Sequence, residues 1–259
     1  EVALNIQTSE KIFLNYSFEV HNKGGHSALP EKENAIYRLS GALTNLSEYE
    51  FPIRLNETTR MFFERYATKE SGQIKEDMLA MARIPTDLSA AERLAGGSPY
   101  YNSNLRTTCV ATLLSGGHAE NALPQTATAN VNCRMLPDDS PDSVLATLRR
   151  IVAEPLVNIT CTYSSLQGPL SPLRKDVLDA VDSLAAMMWP GVIVTPSMSS
   201  GASDGRFLRA AGMPVYGVSG TFIDVEDVRA HGRDERVGVK EFYHGAEFTY
   251  RLMKMLTSD

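Results

Sequence analysis

Between Asn15 and His21 the chain alternates, with Tyr16, Phe18 and Val20 on one side and Ser17, Glu19 and His21 on the other. A period of two predicts a half-buried strand and leaves His21 in solvent. Past the turn "KGGHSALP" the period lengthens: Ala35, Leu39, Ala42, Leu43 and Leu46 recur at helical spacing. "ESGQIKEDMLAMAR" and "TDLSAAERLAG" predict short helices, the second capped by Thr86 or Asp87. "LRTTCVATLLSGG" and "TATANVNCRML" are rich in β-branched residues and predict strands. "SPDSVLATLRRIV" predicts a helix starting at Ser140 with Pro141 in its first position, and "LVNITCTY" a further strand. From Asn15 to Tyr163 the order is β-α-(helical insertion)-β-β-α-β. Without the insertion, this is the split βαβ, ferredoxin-like order.

From Pro172 the texture changes. A helix is expected through "LRKDVLDAVDSLAAMMW", a short strand through "VIVT", a helix after "SDGRFLRAAG", a strand through "PVYGVS" and a closing helix through "VKEFYHGAEFTYRLMKM". Strands alternating with helices belong to a layered α/β domain. Such a sheet needs more strands than this tail supplies, and "EVALNIQ" at the other end alternates like one of them. The fold expected is therefore α/β, with an α+β ferredoxin-like unit inserted into an incomplete layered domain.

The composition is that of a globular protein: 259 residues, 43 % hydrophobic and 22 % charged. A net charge of −6 without basic blocks argues against nucleic acid and anionic membrane as partners. No apolar run reaches the ~20 residues of a membrane span and no signal peptide opens the chain. The chain starts at Glu1 rather than Met, as a processed or excised segment would. Cys109, Cys133 and Cys161 lie far apart in strand-like surroundings and read as buried thiols. Asn-x-Ser/Thr at Asn15, Asn45, Asn56 and Asn158 is too short a match to define a compartment.

Three loop groups have candidate chemistry: "GGHS" with His26; "SGGHAENALPQ" with His118 and Asn121; and the pair "SSGASDGRF" and "VRAHGRDERVG". His231, with Asp234 and Glu235 beside it, fits a metal ligand with supporting carboxylates, yet no second histidine stands at ligand spacing. Asp224, Glu226 and Asp227 read as a solvated acidic loop. His244 lies opposite Phe242, Ala246, Thr249 and Met253 on the last helix and is expected to be exposed. "GASDG" literally satisfies G-x-S-x-G, and Ser203, Asp224 or Asp227, and His231 follow the order of a serine hydrolase. Its context is poor, because Pro196 and "SMSS" separate the motif from the strand. Arg134, near a strand end, is either a surface cation or a guanidinium for a substrate carboxylate.

Taken together, "SEK", "KGGHSALP", "GGHAENALPQ…VNCRMLP", "GASDGRFLRAAGMPVYGV" and "HGRDERVGVKEF" resemble, in order and spacing, the two-zinc aminoacylase/carboxypeptidase family. This family includes glutamate carboxypeptidase, acetylornithine deacetylase and succinyl-diaminopimelate desuccinylase. The likeness covers nearly the whole chain except the insertion around residues 51–98, a length most similar to the carboxypeptidase S and N-acyl amino acid hydrolase branch. It implies a catalytic-domain strand over 1–14, a lid and dimerisation domain over 15–165, and the C-terminal part of the catalytic domain over 166–259.

The resemblance also implies roles. His231 matches a zinc ligand, and His26 the lid histidine that reaches across a homodimer to the oxyanion at the partner's metals. Asn121 matches a lid residue that contacts substrate, and Arg134 the arginine associated with its carboxylate. Gly201, Ala202 and Ser203 match the segment meeting that carboxylate, and Glu235 supports the metal loop. Two metals would polarise a scissile amide and generate hydroxide, and the lid would supply an oxyanion donor. The family's other four metal ligands sit in an N-terminal segment not found in this sequence. The chain alone is therefore expected to carry at most one zinc ligand, His231, and to be inactive without that segment. The substrate implied is an N-acyl amino acid or a short peptide with a free carboxylate. A non-catalytic dimerisation module is the alternative, and a serine hydrolase using Ser203 a third.

Overall fold

Strand β2 (Ile12–His21) shows how the alternating pattern is used: Ile12, Leu14, Tyr16, Phe18 and Val20 are buried and the residues between them are not. The computed structural model describes residues 3–224, 227 and 229–258. Before β2 comes β1 (Ala3–Glu10), and after it β3 (Gly25–His26), α1 (Ala35–Glu48) and four helices of the insertion. Those are α2 (Glu57–Tyr66), α3 (Gly72–Ala82), α4 (Leu88–Gly97) and α5 (Pro99–Leu105). Next come β4 (Thr108–Gly116), β5 (Ala122–Leu123), β6 (Thr126–Met135), α6 (Pro141–Val152) and β7 (Val157–Ser164). The tail holds α7 (Lys175–Met188), β8 (Ile193–Ser199), α8 (Gly205–Ala210) and α9 (Val239–Thr257).

β2 pairs antiparallel with β6 and β7, and β6 with β4, giving a sheet ordered β4-β6-β2-β7. This is the arrangement of the split βαβ unit. Helices α1 and α6 cover one face. Leu39, Ala42 and Leu46 of α1 and Val144, Leu148 and Val152 of α6 close over the buried side chains of β2 and β6. Local chemistry fixes both helix starts. The Asn34 side chain accepts from the Tyr37 N–H, and Ser140 and Ser143 form a reciprocal capping box with Pro141 in the first turn.

The insertion has a core of its own, built around Phe62, Phe63, Met78, Met81, Leu94 and Leu105. Asp87, one of the two expected caps, accepts from the Ala90 N–H at the start of α4. The third unit is a parallel pair, β1 with β8, packed against α7 and α9 through Ile6, Val181, Leu184, Trp189, Val194 and Phe248. The fold is thus mixed α/β. Glu1 and Val2 of the expected first strand, and Glu226 of the acidic loop, lie outside the described residues.

The structure corrects several local expectations. Cys109 and Cys133 face each other across β4 and β6 and are joined by a disulfide, while Cys161 is free and exposed. The expected strand "PVYGVS" is reduced to a single bridge between Gly217 and Gln7, because the chain leaves the sheet on either side. β8, by contrast, runs on through Pro196 to Ser199, four positions short of Ser203. The buried stripe of α9 is Gly245, Phe248 and Leu252, not the side expected. His244 is consequently half-buried, with its ring centroid 6.5 Å from that of Trp189, and Phe242 and Met253 are the exposed residues.

Candidate functional site

The loop after β2 turns on two glycines. Gly24 and Gly25 take φ of 75° and 153°, conformations that side chains disfavour. A Cβ at Gly24 would stand 2.7 Å from Gln125 Cγ. The turn lets β3 pair antiparallel with β5, His26 opposite Ala122. The Ser27 N–H donates to the Asn121 carbonyl at 3.0 Å. His26 and Asn121, singled out separately in the sequence, therefore share one exposed tip. His26 Nδ1 accepts the Ala28 N–H at 3.0 Å. In the neutral imidazole that acceptor role leaves the proton on Nε2, a donor free to face outward.

A second group gathers where the four-stranded sheet meets the parallel pair. Phe13, Asn15, Arg134, Tyr163, Ala202 and Arg206 line an open cleft of about 390 Å³. The Arg134 guanidinium lies 4.6 Å from the Phe13 ring centroid, and its Nη1 donates to the Ser200 carbonyl at 3.4 Å. Partial burial pulls its pKa down from the usual arginine value. Phe13 and Tyr163 meet edge to face at 5.6 Å. The cleft thus combines guanidinium groups with an aromatic wall, suited to an anion attached to an apolar body.

The Gly201–Ser203 loop beside this cleft is tied down from within. The Ser203 N–H and hydroxyl both donate to Glu10 Oε2, at 2.8 and 2.5 Å. The Gln7 amide donates to the same oxygen at 3.2 Å, and Arg209 Nη1 lies 3.8 Å away. The Gly201 N–H donates to Ser199 Oγ at 3.1 Å. Of the three residues expected to meet a carboxylate, Ala202 alone lines the cleft. Ser203 directs its proton to a buried carboxylate, not to an imidazole, so the arrangement lacks the base of a serine nucleophile. Glu10 and Arg206 stand in the sequence only within "SEK" and "GASDGRF", with no site role attached, and the Phe13–Tyr163 pair carries no signal there. A carboxylate inside a strand gives no periodic signal of its partner.

His231 lies on the exposed loop before α9 with φ of 65°. Its N–H donates to Glu235 Oε2, four residues on in the same loop, at 3.2 Å. Asp234 ion-pairs with Arg229, which also meets Asp227. Among the described residues no three or more His, Cys, Asp or Glu side chains are gathered for a metal. One imidazole falls short of the three protein ligands that a catalytic zinc takes. This chain's described residues therefore do not by themselves fit a zinc centre. Among the described residues no helix is long and apolar enough to cross a membrane.

Residues 8–160 match the family model described as the M20 peptidase dimerisation domain. That span is more than half of the chain, and the chain belongs to this family. It is 25 % identical over 256 residues to the probable carboxypeptidase S-like 2 of Dictyostelium discoideum, covering 96 % of this chain and 48 % of that protein. It is 27 % identical to the human N-fatty-acyl-amino acid synthase/hydrolase PM20D1, covering 98 % of this chain and 51 % of the relative. The chain thus spans about half the length of the relatives it matches. Among solved structures, the M20 family metallo-carboxypeptidase Sso-CP2 of Sulfolobus solfataricus superposes with a TM-score of 0.62 at 15 % identity, covering 98 % of this chain and 60 % of that one. The di-peptidase Dug1p of Saccharomyces cerevisiae gives 0.59 at 13 % identity, covering 99 % and 57 %. At such identities the structural likeness shows the fold alone.

Proposed function

We propose that this chain is the lid and C-terminal catalytic part of a zinc-dependent amidohydrolase or peptidase. Its substrate would be an N-acyl amino acid or short peptide with a free carboxylate. The observation that carries the reading is the His26–Asn121 tip, where a bound Nδ1 leaves an Nε2–H donor exposed and the Asn121 carbonyl holds the same loop through the Ser27 N–H. Such a donor suits an oxyanion in another subunit. The Arg134 and Arg206 cleft suits the substrate's carboxylate, with Ala202 against it and Gly201 and Ser203 holding the loop in place. Homodimerisation would use β4, an edge strand with Val110, Leu113 and Leu114 exposed. Zinc would be held by His231, with Glu235 fixing its loop, and by donors from the N-terminal segment of such an enzyme.

The test compares this chain with a version extended by that segment, measuring bound zinc and hydrolysis of an N-acyl amino acid. Two metals and activity only in the extended form are expected. In that form His26→Ala should lower turnover by about 10²–10³-fold with metal content unchanged. An unchanged rate removes the oxyanion role. The match of residues 8–160 to a dimerisation domain supports a second reading, a non-catalytic dimerisation module. It predicts a dimer with neither zinc nor hydrolysis in either form.

A further inference from the structure

The helical insertion leaves the four-stranded unit after α1 and returns to it at β4, yet its first helix packs against the other sheet. α2 lies on β8 and touches β1. Thr58 on α2 and Thr8 on β1 share a hydrogen bond of 2.8 Å, both fully buried. Met61 joins the core of the parallel pair. Arg65 donates to the Val194 carbonyl at 2.7 Å and pairs with Asp182 of α7 at 3.2 Å, and Lys69 reaches the Gly191 carbonyl. These are contacts of an element inserted in one unit with the strand, turn and helix of another.

At its far end the insertion is fixed equally firmly. Lys11, the residue between β1 and β2, is buried and donates to the carbonyls of Ser103 and Arg106, each at 2.8 Å. The buried Arg106 pairs with Glu50 and Glu92, tying the end of α1's connection to α4. Arg54 pairs with Asp139, which also accepts from Thr107 at 2.6 Å beside the loop leading into α6.

We propose that the insertion is a strut which locks the four-stranded unit to the parallel pair, so that the two turn as one body. Two chain crossings alone, at Lys11 and around Ser165, would form a hinge; with the insertion anchored on both sides, bending there requires tearing α2 from β8. Opening of the site would then fall to the loops, chiefly the tip holding His26 and Asn121. This inference does not depend on the proposed hydrolase activity.

The test is a distance measurement by pulsed electron paramagnetic resonance on this chain, diluted with unlabelled chain so that only labels within one protomer are read. Spin labels go on Ala146→Cys of α6 and Ser183→Cys of α7, both exposed, in a Cys161→Ser background. One narrow distance distribution is expected. Met61→Glu, which puts a carboxylate between α2 and the parallel pair, should broaden or split it. Should that variant fail to fold, Arg65→Ala with Lys69→Ala removes surface anchors without opening either core and should broaden the distribution to a smaller extent. A broad distribution in the parent, or an equally narrow one in a folded variant, overturns the proposal.

Discussion

The four-stranded unit and the parallel pair treat their apolar residues differently. In the first, α1 and α6 cover one sheet face and the core is closed from Ile12 through Ile159. In the second, two strands and two long helices share a smaller core, and α9 leaves Val239, Phe242, Tyr243, Tyr250 and Met253 exposed. Both obey the same burial physics, but closure depends on how many faces an element has and how many neighbours meet them. A four-stranded antiparallel sheet with two helices satisfies one face completely. A two-stranded parallel sheet does not.

The contrast can be broken most forcefully in the closed unit. Phe18→Ala removes a fully buried ring from the central strand and should cost about 3–5 kcal/mol, read as a lower urea midpoint. The fall should appear in the amide exchange of β2, β6 and β7 while β1 and β8 change little. Equal loss of protection in both units would mean that they unfold together.

The junction between the units should respond to pH. Burial pushes the Lys11 amine down to about 7, with the Arg134 charge adding to the effect. The unfolded lysine, near 10.5, binds the proton that the folded one has released. Between about pH 7 and 10.5 this group therefore makes the fold more stable as pH rises. The difference in melting temperature between the parent and Lys11→Met should change across that range in favour of the parent. A constant difference would contradict the assignment.

Reduction sharpens the comparison at the sheet's edge. Breaking the Cys109–Cys133 bond, 24 residues apart in sequence, should cost about 2–4 kcal/mol. It should loosen β4 and leave β8 unaffected, which alkylation and exchange at β4 amides will report. The smallest effect expected is Ser140→Ala, loss of the α6 capping box, at about 1 kcal/mol in thermal melts.

How much of this was legible in the sequence follows from the same contrast. In β2 one period and one buried face agree, so Tyr16, Phe18 and Val20 declare the strand and its orientation. In α9 large apolar side chains stand on several sides, and local pattern does not choose among them. The choice is made by a remote loop: a Cβ at Gly220 would come within 2.6 Å of Phe248, and one at Gly245 within 2.2 Å of Thr221 Oγ1. The disulfide was hidden for a related reason, since only the register of β4 on β6 brings Cys109 opposite Cys133. Of the candidate site, His26 and Asn121 were visible as loop chemistry, and the two-residue ladder that unites them was not. Glu10 and Lys11, adjacent and both buried, have partners reached only through tertiary packing.

That short ladder couples the fates of two stretches distant in sequence. Because Gly25 sits opposite Leu123 and the Ser27 amide is held by Asn121, a change of length or bulk in either stretch displaces the imidazole and the carboxamide together. Homologous sequences should accordingly alter residues 23–28 and 118–125 in concert, and loop grafts should succeed only when both strands of the tip are exchanged as a pair.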